Sequence, residues 1–150
     1  KECVCAPGVV QKYLNKISGP LLDRIDIHIE VTPVAFSELS SERTTEKSAD
    51  VRERVIRARK VQEERYRGDQ MHCNAQMSSQ QLRRICRIDT AGVALLQKAM
   101  ERLGLSARAY DRILKVARTI ADLAESPEIR TEHLAEAIQY RSLDREGWAG

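Results

Sequence analysis

Ser106-Ala107-Arg108-Ala109-Tyr110-Asp111-Arg112-Ile113-Leu114-Lys115-Val116-Ala117-Arg118-Thr119-Ile120-Ala121-Asp122-Leu123 is the stretch on which the fold turns. Ala109, Tyr110, Ile113, Val116, Ala117, Ile120 and Leu123 recur at helical spacing and line one face. Ser106 stands before them as an N-cap, and Ser126-Pro127 breaks the helix. Helical patterning continues on both sides. Upstream, Ser78-Ser79-Gln80-Gln81 has the form of a capping box and opens a short helix through Ile85. Asp89 or Thr90 caps a further helix bearing Val93, Leu95, Leu96, Ala99, Met100 and Leu103, with Gly104 as its stop. Downstream, Thr131 is expected to cap a last helix whose face is Leu134, Ala135, Ala137, Ile138 and Leu143. The tail 146–150 is expected to fray.

Further out the pattern changes. Residues 50–67 read as a long helix with seven Lys or Arg against four acids and a thin stripe of Val51, Val55, Ala58 and Val61. A stripe that narrow suits a helix bridging two bodies. Residues 37–49 are polar and read as a linker. Residues 9–17 read as a short helix, broken by Ser18-Gly19-Pro20, with one helical turn at 21–24. Then Ile25-Asp26-Ile27-His28-Ile29-Glu30-Val31 alternates strictly, which predicts a β-strand with one buried face, ended by Pro33. A lone strand needs ladder partners. The chain is therefore expected to be the C-terminal portion of a longer protein. The fold class is mainly α: a helical bundle over 68–145, a connecting helix over 50–67, and a short α/β stub over 1–36.

Composition agrees with a packed aliphatic domain. Of 150 residues 42% are apolar and only 4% aromatic, with one Trp and one Phe. Collagen, coiled-coil array and membrane-spanning protein are excluded by this pattern, and no export signal is expected, since Lys1 to Gly8 has no long apolar run. The expected location is cytoplasmic. Net charge is +3, which permits contact with nucleic acid or phosphate without demanding it. Cysteines stand at 3, 5, 73 and 86 and are expected to be reduced thiols. Cys3-Val4-Cys5 could be half of a metal site, but two thiols and a distant His72 do not make a zinc ligand set.

Catalytic motifs are scarce. The sequence holds no G-x-x-x-x-G-K-[ST], G-x-G-x-x-G, H-E-x-x-H or G-x-S-x-G. His28 reads as a solvated or hydrogen-bonded strand residue. Two arginines stand out. Arg24 lies between a rigid Ser18-Gly19-Pro20 turn and a strand, where a fixed guanidinium can stabilise a transferring phosphoryl group. It can equally be an exposed partner of Asp23 or Asp26. Arg108 sits in the first turn of the strongest helix, where a cation is disfavoured unless it meets an anion. A solvated Arg beside Asp111 is the alternative. Arg112, Lys115 and Arg118 read as a solvated face.

Four phrases carry a family resemblance: Cys3-Val4-Cys5, the run from Tyr13 to Val31, the run from Leu105 to Leu123, and the run from His133 to Arg141. With these, nearly the whole chain resembles the C-terminal part of the magnesium-chelatase-like AAA+ ATPases of the YifB/ComM type found in bacteria. The resemblance implies that residues 25–31 are the last strand of the AAA+ core and 50–67 the helix joining core to helical lid. It implies that Arg24 is the arginine finger acting in trans on a neighbouring protomer, and that Arg108 is the sensor-2 arginine contacting ATP phosphate. Cys3 and Cys5 match the second half of a cysteine pattern, so they are a possible metal half-site in the full-length protein. Walker A, Walker B and sensor 1 lie upstream in the family and are not in this sequence. ATP and Mg would thus belong to the full-length protein, with no cofactor expected here and no activity from this portion alone. The family implies a homo-oligomeric ring, a hexamer, working on DNA in branch migration and natural transformation, with no membrane partner. The alternatives are a chelatase-type ATPase subunit acting on a protein partner and a plain helical interaction module.

Overall fold

The computed structural model describes residues 4–34 and 45–141. Of the linker expected at 37–49, residues 37–44 lie outside the described residues, and the linker's last two residues belong to a helix. The tail expected to fray, Leu143 and Cys3 also lie outside the described residues. Pro7 at the first helical position opens α1 (Pro7–Leu14), two residues earlier than the apolar spacing predicts. Pro20 likewise lies at the start of a single turn, α2 (Gly19–Leu22). The long charged helix is α3 (Ser48–Arg65), and Gly68 takes a positive φ of 87° beyond it. A 3-10 turn at Asn74–Gln76 precedes α4 (Ser79–Ile85), α5 (Thr90–Leu103), α6 (Ala107–Leu123) and α7 (Thr131–Gln139).

The caps are formed locally. The Ser78 and Gln81 capping box is closed in both directions. Asp89 accepts from the Gly92 N–H at 2.7 Å, and Ser106 from the Ala109 N–H at 3.2 Å. Gly104 adopts the left-handed conformation (φ 58°) that ends α5. One cap differs from expectation. Thr131 is the first residue of α7 and Arg130 is its N-cap, whose N–H donates to His133 Nδ1 at 3.1 Å. A ring nitrogen one turn along thus satisfies a backbone donor there, in place of the threonine hydroxyl.

Helix α6 is the axle of the bundle. It packs against α7, α3, α4 and the 3-10 turn, while α5 packs against α7. Ala109, Ala117 and Ala121 on α6 are fully buried, and such small side chains let neighbouring backbones approach closely. Ile113 and Leu114 fill the space between them, meeting Leu82, Leu96, Leu134 and Met77. The core is aliphatic, as the composition requires. On α3 the buried residues are Ala58 and Gln62, in its C-terminal half; Val51, Val55 and Ile56 are exposed. The helix therefore docks by its end.

The strand expected at 25–31 is not formed. Among the described residues there is no sheet, and the alternation buries nothing: Ile29 is 68% and Val31 88% exposed. Alternation specifies a strand only where a ladder partner exists. Here the segment's backbone turns to the helices, with the His28 N–H donating to the Tyr140 carbonyl at 2.9 Å. No helix among the described residues is long and apolar enough to cross a membrane.

Candidate functional site

Leu22 of α2 is buried, and the chain leaves that helix through a tight turn in which the Arg24 and Ile25 N–H groups donate to the carbonyls of Leu21 and Leu22. Arg24 is exposed, and its Nη1 donates to the Pro20 carbonyl at 3.1 Å. The exposed pairing considered for it does not occur, because its two acidic neighbours are engaged elsewhere. Asp26 pairs with Arg112 of α6, and Asp23 lies 3.8 Å from Arg141. Arg141 also donates to the Ile25 carbonyl and has no exposed side-chain surface. Together with the bond from His28 to Tyr140, these contacts fasten residues 23–28 to α6 and to the end of α7.

Arg108 is exposed in the first turn of α6. Arg112 follows one turn later on the same side of the helix. The two candidate arginines therefore lie on segments that the Arg112–Asp26 pair joins. Beside them, Ile27 and Ile29 face Val116, Ile120, Leu123 and Tyr140 across an apolar groove of about 330 Å³.

A second polar centre, not anticipated from the sequence, lies under the end of α3. Asp122 has no exposed side-chain surface. It accepts from Arg65 of α3 (2.7 Å to Oδ2), from Asn74 of the 3-10 turn (2.8 Å), and from Arg118 one turn earlier on α6 (3.1 Å). Asn74 in turn accepts from the Tyr66 hydroxyl at 2.7 Å and donates to Thr119 at 3.0 Å. Arg118 spends its remaining donors on the carbonyls of Ser126 and Pro127, at 2.6 and 2.9 Å. The solvated face expected at Arg118 is thus corrected: this residue is 3% exposed, bound to Asp122 and to the carbonyls of the 126–127 turn. Burial alone would raise the Asp122 carboxyl. The bonds from Arg65 and Asn74 and the charges of Arg65 and Arg118 outweigh it and hold the group below its ordinary range. An Asp four residues after an Arg was the available signal, but such a pair is usually a surface feature.

Among the described residues Cys5, Cys73 and Cys86 are free thiols. Cys5 is exposed, and Cys86 is buried in the core with its thiol pushed up to about 11 by burial. Among the described residues no three His, Cys, Asp or Glu side chains cluster as a metal site.

Residues 45–141 match the family described as magnesium chelatase, subunit ChlI C-terminal, and residues 1–39 match magnesium chelatase, subunit ChlI. The chain belongs to the magnesium chelatase ChlI C-terminal family. Competence protein ComM of Haemophilus influenzae is 43% identical over 141 residues, which is 93% of this chain and 27% of that protein. The uncharacterized Escherichia coli protein YifB is 41% identical over 143 residues, 94% of this chain and 27% of its own length. The uncharacterized Mycobacterium tuberculosis protein Rv2897c is 37% identical over 144 residues, covering 94% and 28%. The chain thus spans about a quarter of the length of the curated relatives it matches. In this member of the chelatase family two exposed arginines stand out: Arg108 at the N-terminal end of α6 and Arg24 on the turn fastened to that helix.

Proposed function

We propose that this chain is the C-terminal portion of an ATP-driven AAA+ ring motor that acts on DNA, and that it supplies two phosphate-contacting arginines. Arg24 is the arginine finger, serving the nucleotide of a neighbouring protomer, and Arg108 is the sensor-2 residue. The observation that carries this is the state of Arg24: exposed, yet carried on a turn held by four separate contacts to the helices. A finger needs that combination, since it must reach a phosphate outside its own subunit from a fixed position. The competence name of one relative supports a DNA substrate. The residues present fit the phosphate-contacting side of an ATP site; they include no phosphate-cradling loop. ATP with Mg supplies the phosphoryl group whose transfer drives the motor. This chain's share is to place positive charge against it, as part of a cytoplasmic homo-oligomer, a hexamer.

The test is ATP hydrolysis by the whole protein, with and without branched DNA, beside the 150-residue chain as a control. DNA should stimulate the whole protein, and the chain alone should be silent. Arg24→Ala should lower kcat about 10³-fold or more with nucleotide binding retained. Undiminished turnover in that variant would refute the finger. Absence of any DNA effect would favour a chelatase-type subunit acting on a protein.

A further inference from the structure

We propose that Arg112 and Arg141 are positioning residues that bind the Arg24 turn to the helical bundle, so that this turn and the Arg108 end of α6 move as one body. The proposal rests on Arg24 acting as the finger. Its basis is the distribution of contacts. Arg141 reaches back 116 residues to the Ile25 carbonyl and stands by Asp23, so it brackets Arg24 on both sides. It is buried, and a buried guanidinium withdrawn from its acceptors leaves an uncompensated charge. That makes the contact hard to release. Arg112 and Asp26 are partly exposed, with 31% and 46% of their side chains accessible. Their pair adds little stability. It does fix register, because it ties a point two residues beyond Arg24 to a point one turn beyond Arg108.

The consequence is mechanical. A helix is stiff over one turn, so any shift of the first turn of α6 is passed through Arg112 to Asp26 and on to Arg24. If a nucleotide phosphate draws Arg108, the finger presented to the neighbouring protomer is displaced or seated by the same movement. Placement is what a finger contributes, and an error of about 1 Å can cost about 10²-fold in rate. Two nucleotide sites of the ring would then be coupled through four residues of one chain.

Because Arg141→Ala could prevent folding, the exposed pair is the one to break. In the whole protein, Arg112→Glu and Asp26→Arg are each expected to lower kcat for ATP about 10- to 100-fold. Nucleotide affinity and thermal midpoint should stay near the parent's. The double exchange, Arg112→Glu with Asp26→Arg, should recover most of the lost rate. Amide hydrogen exchange at residues 24–28 should accelerate in Arg112→Glu and in Arg141→Lys. Unchanged turnover in Arg112→Glu beside a crippled Arg24→Ala overturns the linkage alone. Loss in both single variants with no recovery in the exchange also overturns it. Full turnover in Arg24→Ala overturns the finger and the linkage with it.

Discussion

Replacing Asp122 by Asn changes one atom and removes the only negative charge at the centre of the bundle's polar network. Arg65 is 19% and Arg118 3% accessible at the side chain, and Asp122 not at all. Breaking a buried ion pair by neutralising one partner costs about 3–5 kcal/mol, since the other charge stays behind. Here the lower end applies. Arg118 keeps two carbonyl acceptors, and Arg65 keeps Asn74. About 3 kcal/mol in a chain of this length lowers the thermal midpoint by roughly 6–12 °C. Urea unfolding of the chain, followed by circular dichroism, measures the loss directly. A pH arm separates charge from shape. The folded carboxyl sits below the ordinary value of 3.8, so the unfolded state takes up its proton first as pH falls. The contribution is present above that value and lost on descending through the lower folded value. The variant, having no carboxyl to protonate, should be flatter in this acid window than the parent. A loss under 1 kcal/mol, or the same acid dependence in both proteins, would refute the assignment of Asp122 as the electrostatic centre.

Other consequences are simpler to check. Cys86, with its thiol raised to about 11, should resist alkylation at pH 8 while Cys5 reacts, and should become reactive only with urea. Its raised value favours the fold below the ordinary thiol value of 9.0, and that support should fade as pH rises toward 11. Gly92→Ala should destabilise by about 1–2 kcal/mol despite the better helix propensity of alanine. The added Cβ would stand 3.1 Å from the Asp89 oxygen that caps α5 and 3.2 Å from the Ile88 Cβ.

What was legible in the sequence is what is local. Ser78 with Gln81, Asp89, Ser106 and Gly104 each act within one turn of themselves, so their residue types disclosed the helix ends directly. The apolar face of α6 was legible in part: Ala109, Ile113 and Ala117 are buried as the period implies, but Tyr110 is exposed, and Leu114 and Ala121 are buried although the reading left them off that face. The segment 25–31 misled for the opposite reason. Its alternation promises a buried face, but burial depends on a sheet, and none of the described residues supplies one. The polar network was hidden by another non-local fact. Arg118 and Asp122 look like a solvent pair until α3 is known to lie over them. Arg141 could not be picked out at all, since its partners are 116 and 118 residues away in the chain. At the candidate site, the two arginines were visible as unusual placements; the contacts fastening one to the other's helix were not.

The exposed row of Ile25, Ile27, Ile29 and Val31 bears on how the chain would behave in a test tube. An alternating apolar segment without a ladder partner can pair with an extended peptide, including the same segment of another molecule. Concentrated samples of the isolated chain should therefore self-associate in a way that dilution reverses. A lysine in place of Ile29 should keep them dispersed while the helices hold, because that side chain is 68% exposed and is not part of the buried core.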